Sequence, residues 1–78
     1  MERDITIDIH LDEDEDTTAA RVELDLRNDH FEASGRARRN PSDSPAPVIG
    51  EELAIARALG ELQHQIMEAA QTKIEGGD

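Results

Sequence analysis

The chain has 78 residues, no cysteine, a single aromatic residue and a formal net charge of −11. A chain of this length forms one domain that buries only about 60% of its unfolded surface, and without cysteine neither a disulfide nor a thiolate metal site reinforces its core. The sequence has no apolar run long enough to span a membrane and no signal-peptide pattern, which predicts a cytoplasmic protein; its acidic surface disfavours nucleic acid, because phosphate contacts need Lys and Arg.

The first half of the chain alternates between apolar and polar residues, as half-buried strands do. This pattern predicts strands at about residues 4–12, 20–28 and 31–38, separated by a polar loop from Asp12 to Thr18 and by a turn at 28–30. The apolar positions are Ile5, Ile7, Ile9 and Leu11 in the first strand, Val22, Leu24 and Leu26 in the second, and Phe31, Ala33, Gly35 and Ala37 in the third.

The charged residues between these positions favour one register of the first hairpin. Pairing Ile9 with Leu24 sets His10 opposite Glu23, whereas a slip of two residues sets His10 opposite Arg21. Since an opposite-charge pair across two strands contributes roughly 0.2–1 kcal/mol, the first register is predicted.

The second hairpin is predicted by the same reasoning. Pairing Leu26 with Ala33 sets Arg36 opposite Glu23, a pair of opposite charge. The second strand is therefore predicted to lie in the centre of the sheet.

A connector at residues 40–49 contains all three prolines, and a helix is predicted at about 51–75. Glu51 and Glu52 complement the positive end of the helix dipole, and Gly76 with Gly77 ends the helix. One apolar row runs along it, at Ile55, Leu59, Leu62, Ile66 and Ala70. The predicted fold class is α+β, a three-stranded antiparallel sheet packed by one long C-terminal helix.

The predicted helix is longer than the sheet. A helix of about 24 residues runs roughly 36 Å, whereas a seven-residue strand runs roughly 23 Å. Met67 and Ile74 then lack a partner within one chain. A homodimer is predicted, because self-association covers these side chains.

One group of acidic residues has part of the spacing of a calcium loop. It consists of Asp12, Asp14, Asp16 and Glu23, but Thr17 stands where such a loop needs glycine. A solvated acidic hairpin loop is the preferred interpretation, and no metal site is predicted.

The sequence contains no pattern of a catalytic site. His10, His30 and His64 share no metal-ligand spacing and are interpreted as exposed polar residues. Ser34 is the one serine predicted on a strand, and no residue is marked as its base. No enzyme activity and no cofactor are predicted.

A basic segment between the sheet and the helix is the candidate partner-binding site. The "arginine strip" consists of Arg36, Arg38, Arg39 and Asn40, and holds three of the eight basic residues. In one interpretation Arg36 pairs with Glu23, and the other two arginines are solvated or bind nearby carboxylates. In the other, the strip binds phosphate or a partner at the edge of the sheet. The first interpretation is favoured for a monomer. A symmetric dimer carries two strips, which strengthens the second interpretation relative to the first.

Two segments, GRARRNPSD at 35–43 and PVIGEELAIARAL at 47–59, resemble a family of small actinobacterial proteins of unknown function. The resemblance covers nearly the whole chain. It implies a single βββα domain over residues 1–78, similar to a double-stranded-RNA-binding domain (dsRBD-like) without its first helix, and often dimeric. One dormancy-associated relative has been compared structurally with ribosome hibernation-promoting factors.

Two functions are therefore predicted as alternatives. The first is a small dimeric accessory protein of stress or dormancy that acts through protein–protein contacts. The second is a ribosome- or RNA-associated factor of the hibernation type that uses Arg36, Arg38 and Arg39. The net charge of −11 favours the first, and the family comparison favours the second.

Overall fold

The computed structural model describes residues 1–76, which form three strands followed by one helix. The strands are β1 (Asp8–Glu13), β2 (Thr17–Leu26) and β3 (Asp29–Arg38), and the helix is α1 (Pro47–Gly76). They form one antiparallel sheet in the order β1-β2-β3, and α1 packs across one face of it. The predicted α+β fold class, with the second strand in the centre, is confirmed.

All three strands begin at other residues than the sequence predicts. β1 begins at Asp8 instead of residue 4, β2 begins at Thr17 instead of residue 20, and β3 begins at Asp29 instead of residue 31. Within residues 1–76 no helix combines the length and the apolar character that crossing a membrane requires.

The helix begins earlier than predicted, at Pro47. Proline suits the first position of a helix, because its φ is already helical and the N–H it lacks would have no partner there. Glu51 and Glu52 therefore lie beyond the first turn, which contains no acidic residue. Of the predicted glycine stop, Gly76 ends α1 and Gly77 lies outside the described residues.

The predicted register of the first hairpin is wrong. His10 lies opposite Arg21, as in the register that charge pairing disfavours. The turn explains the difference: the Asp14 N–H donates to the Thr17 carbonyl at 3.0 Å, and the Asp14 carboxylate accepts from the Thr17 N–H at 2.7 Å. A slip of two residues would break both bonds in exchange for charge pairs worth tenths of a kcal/mol to about 1 kcal/mol.

The predicted register of the second hairpin is also wrong. Leu26 pairs with Asp29 and not with Ala33. A two-residue turn at Arg27 and Asn28 joins the strands, and Arg27 adopts a left-handed φ of 56°. This tight turn lets β2 and β3 pair along their full length of 10 residues each. The longer backbone ladder outweighs the predicted charge pair.

The core lies between α1 and the inner faces of β2 and β3. Its buried apolar residues are Ala20, Val22, Leu24, Phe31, Ala33, Ala37, Ala54, Ala58 and Leu62. A Cβ atom placed on Gly35 of β3 would collide with backbone atoms of Ala54, Arg57 and Ala58. Glycine at this position therefore lets the helix backbone lie directly on the sheet.

This close approach rotates the helix relative to its predicted apolar row. The buried residues of α1 are Ala54, Ala58 and Leu62, so small side chains face the sheet where the two backbones meet. The remaining members of the predicted row lie to one side of this contact: Ile55, Leu59 and Ile66 are half-buried and pack against the edge of the core, and Ala70 is exposed.

Candidate functional site

The structure divides the arginine strip. Arg36 and Arg38 lie on the outer face of β3, turned away from α1, because strand residues alternate and the odd-numbered ones face the helix. Arg39 turns instead towards the β1–β2 turn. Its Nη2 lies 3.1 Å from Asp16 Oδ1, and its Nη1 donates to the Asp43 carbonyl at 2.7 Å. Arg39 therefore fastens the connector to the first hairpin.

Asn40 has a structural place in the same connector. Its Oδ1 accepts from the Ser42 N–H at 3.1 Å and from the Ser42 hydroxyl at 2.9 Å. The Asp43 N–H donates to the Asn40 carbonyl at 2.9 Å. These bonds form the turn that follows β3. Of the arginine strip, the structure thus leaves Arg36 and Arg38 together on one surface and binds the other two into the turn.

The acidic β1–β2 turn uses a carboxylate for its own backbone. Asp14 accepts hydrogen bonds from the Asp16 and Thr17 N–H groups at 2.9 and 2.7 Å, and these bonds lower the pKa of the Asp14 carboxyl. Asp12 and Glu23 both lie on the outer face, four β2 positions apart, which is roughly 13 Å at 3.3 Å per residue. The calcium-like spacing does not bring these carboxylates to one point.

The register brings His30 to carboxylates that the sequence analysis treated separately. Glu23 lies directly opposite Glu32, so the predicted pair of Glu23 with Arg36 does not form. Glu23, His30 and Glu32 offer ligand atoms within 4.8 Å of one another. His30 Nδ1 lies 2.6 Å from Asp25 Oδ1, and this contact raises the pKa of His30. When the His30 imidazole is protonated, its positive charge offsets the repulsion between the facing glutamates. Only the correct register could have revealed this cluster.

The first strand has no cover on its apolar side among the described residues. Ile9 pairs with the buried Val22, and directly opposed residues share a face, so the apolar side of β1 faces the same way as the core. Nevertheless the helix packs on β3 and β2, and every residue of β1 is exposed. The exposed fractions are 48% for Ile5, 43% for Ile7, 47% for Ile9 and 36% for Leu11.

One flank of the helix continues this apolar surface. On the opposite flank, Arg57 Nη1 donates to the Arg36 carbonyl at 2.7 Å and Gln65 Nε2 donates to the Glu32 carbonyl at 3.0 Å, which fixes that flank on β3. At 100° per residue, the half-buried aliphatic residues therefore lie on the flank towards β1. We define the open apolar face as Ile9 and Leu11 of β1 together with Ile55, Leu59 and Ile66 of α1; Ile5 and Ile7, which precede β1, are also exposed.

Comparison with known proteins places these features in a family. A family model described as Rv2632c-like matches residues 3–78. Uncharacterized protein Rv2632c of Mycobacterium tuberculosis (strain ATCC 25618 / H37Rv) is 38% identical over 69 residues, covering 88% of this chain and 74% of the relative. Uncharacterized protein Mb1767 of Mycobacterium bovis (strain ATCC BAA-935 / AF2122/97) is 40% identical over 70 residues, covering 90% and 74%.

A solved structure agrees with the sequence comparison. The crystal structure of Rv2632c superposes on 99% of this chain and 92% of its own with a TM-score of 0.91 at 34% sequence identity. The resemblance to a small family of unknown function is thus confirmed, and the chain belongs to the Rv2632c-like family.

Proposed function

We propose that the chain is a non-enzymatic interaction module of the cytoplasm that works as a homodimer joined through the open apolar face. The observation that carries this proposal is that face itself, in which no other residue between 1 and 76 covers the apolar side of β1. The accessory role in stress or dormancy implied by the family resemblance is part of the proposal. Contacts with other proteins would use surfaces that the dimer leaves exposed.

The dimensions of the single chain support a second copy as the occupant. Its accessible surface is 6192 Å², whereas a compact monomer of 8.6 kDa exposes about 4,700 Å². The excess of about 1,500 Å² exceeds the roughly 800 Å² that each partner contributes to a standard interface. The radius of gyration is 15.7 Å, compared with about 11.5 Å for a compact chain of 78 residues, so the single chain is elongated and exposes more surface than a compact monomer.

The charge of the protein predicts how this dimer responds to salt. Each chain carries −11, so two copies repel one another outside the contact. The open apolar face consists of aliphatic residues only, and a two-fold contact lets each copy cover the face of the other. Added salt screens the repulsion and leaves the apolar contact intact. The dimer should therefore tighten as salt increases.

Sedimentation equilibrium tests the proposal. The parent should sediment at twice 8.6 kDa at micromolar concentration, and Ile9→Glu should sediment as a folded monomer, because Ile9 is already 47% exposed within one chain. His10→Glu is the matched control, since it introduces the same side chain on the opposite side of the same strand. A parent that stays monomeric to high micromolar concentration refutes the proposal. A dimer that survives Ile9→Glu places the contact elsewhere and also contradicts it.

The alternative is a ribosome- or RNA-associated factor, favoured by the shared outer position of Arg36 and Arg38. Phosphate contacts release counterions, so such binding should weaken steeply with salt, opposite to the dimer. Arg39 is engaged by Asp16, and the chain carries −11, which together argue for weak or no RNA binding near physiological salt. Co-sedimentation with ribosomes at two salt concentrations decides it. Submicromolar, salt-sensitive binding that Arg36→Ala/Arg38→Ala abolishes would replace the first proposal.

A further inference from the structure

Most basic and acidic side chains on the outer face of the sheet lie in separate halves, a positive and a negative one, with Asp12 in the positive half and His30 in the negative half as exceptions. Like groups face one another in the observed register: His10 lies opposite Arg21, and Glu23 lies opposite both Asp8 and Glu32. Opposite charges across strands stabilise a sheet, and among the outer-face pairs of the described strands only Asp25 and His30 are opposed in this way. The two halves differ in the charged residues that they contain. The negative half also contains His30, which contacts Asp25 and Glu32, whereas the positive half contains Arg21 and Arg36.

The positive half forms a shallow basin of about 500 Å³. Its floor is low because the residues that face the two arginines across the strands are small: Ser34 lies opposite Arg21, and Ala19 lies opposite Arg36. Arg21 and Arg36 are diagonal neighbours on adjacent strands, which places their Cβ atoms roughly 7–8 Å apart. Two guanidinium groups at this spacing can converge on one group between them.

The two arginines have no carboxylate partner among residues 1–76, whereas Arg39 and Lys73 each form an ion pair there. A guanidinium presents its N–H groups as a planar fork that matches phosphate oxygens, and such charge-assisted bonds are among the strongest polar contacts. The rim of the basin adds the Ser34 hydroxyl and the His10 imidazole as further hydrogen-bonding groups. These groups are complementary to a compact anion with several oxygens.

We propose that the basin binds a small phosphorylated ligand, with Arg21 and Arg36 holding its phosphate groups and Ser34 and His10 bonding their remaining oxygens. The site is on the opposite side of the sheet from the open apolar face, so it stays accessible in the proposed dimer and does not depend on it.

One carboxylate in the basin disfavours the binding of this ligand and therefore provides a further test. Asp12 lies opposite Ala19 on the same face and lines the basin. Its negative charge repels a phosphate oxygen at short range. Removing that charge should strengthen binding, whereas removing either arginine should weaken it. If the ligand were attracted only by net charge, replacing Arg21 would weaken binding as much as replacing an arginine elsewhere. If it binds in the basin, replacing Arg21 must weaken binding more.

Titration of the full chain with pyrophosphate, followed through the backbone amide signals in NMR, tests the proposal. Saturable shifts should centre on Ala19, Arg21, Ser34 and Arg36, with binding in the millimolar range or tighter, below about 10 mM. Arg21→Gln/Arg36→Gln should weaken binding at least about tenfold. Arg3→Gln/Arg38→Gln is the matched control, because it removes the same charge outside the basin and should leave the affinity within about twofold.

The variants distinguish binding in the basin from a general attraction of anions to basic side chains. Asp12→Asn should tighten pyrophosphate binding, and unchanged melting curves should show that every variant is folded. An equal loss in both double variants, shifts centred on Arg38 instead of Arg21, or no saturation up to about 10 mM would each overturn the proposal. An RNA oligonucleotide that binds while pyrophosphate does not would also overturn it.

Discussion

The contact between α1 and β3 predicts a severe effect for Gly35→Ala. The added Cβ atom would lie within 3.0 Å of three backbone atoms of the helix, on Ala54, Arg57 and Ala58. Real Cβ atoms essentially never come this close to another atom, and backbone cannot swing aside as a flexible side chain can. The helix must therefore move away from the sheet by roughly 1 Å to restore ordinary contact distances.

Such a displacement affects more than the new methyl group. Overpacking a core costs about 1–3 kcal/mol. The hydrogen bonds from Arg57 and Gln65 to the β3 carbonyls, at 2.7 and 3.0 Å, would also lengthen, at about 0.5–1.5 kcal/mol each. The sum is about 2–6 kcal/mol, in a chain whose whole free energy of unfolding is expected to be about 4–12 kcal/mol. Gly35→Ala should therefore remove about half of the stability.

Thermal and urea unfolding of Gly35→Ala measure this effect, with Gly60→Ala as the control. Each kcal/mol corresponds to about 4–8 °C in a domain of this size, so the melting temperature should fall by about 8 °C or more. Gly60 lies in α1, and no atom lies within 4 Å of a Cβ added there. The substitution Gly60→Ala should therefore stabilise the protein by about 0.5–1 kcal/mol. A Gly35→Ala variant that melts within about 3 °C of the parent would refute the close contact.

Three further outcomes are expected. Leu62→Ala should cost about 2–5 kcal/mol in denaturant unfolding and Leu59→Ala clearly less, because Leu62 is 2% exposed whereas Leu59 is half-buried; equal costs would contradict the rotation of the helix. The pKa of His30 is raised above 6.5, so its stabilising contribution is present below that pH and is lost as the pH rises through the folded-state pKa. The difference in melting temperature between the parent and His30→Gln should shrink over that rise, with His64→Gln as the control; a constant difference would contradict it. Millimolar calcium should leave the melting temperature where magnesium leaves it, because Asp14 is occupied by its own turn; a shift selective for calcium would restore the metal interpretation.

The type and order of the strands and the helix can be predicted from the sequence, because the spacing of apolar residues within each segment indicates its type. Alternation with period two places Val22, Leu24 and Phe31 on the inner face, where all three are buried. The buried row of the helix could not be predicted as readily, since the rule that large apolar residues face the core favours Leu59 over Ala58. The available signal was Gly35, a strand residue without a side chain, which requires small partners on the element packed above it.

The arginine strip shows why neighbouring residues in sequence are a poor guide to a surface. Arg36 and Arg38 share a face because they are two residues apart on a strand, but Arg39 follows the strand and binds Asp16, 23 residues earlier in the chain. The partner that Arg36 has in the proposed basin, Arg21, belongs to another strand and is visible only once the register is known. Sites assembled across strands depend on register, and register depends on the turns.

Both predicted registers are wrong by an even number of residues, and for this reason the predicted fold class is nevertheless correct. The first hairpin differs from the expected pairing by two residues and the second by four, since Ile9 pairs with Val22 instead of Leu24, and Leu26 with Asp29 instead of Ala33. An even slip keeps every side chain on its own face of the sheet, so the apolar pattern constrains the register only to within such steps. What an even slip changes is the set of outer-face neighbours. The two turns therefore determine which of these registers forms. The register in turn determines how charge is distributed on the outer face. Any chemistry of that face is consequently decided by Asp14 and Arg27, which take no part in it.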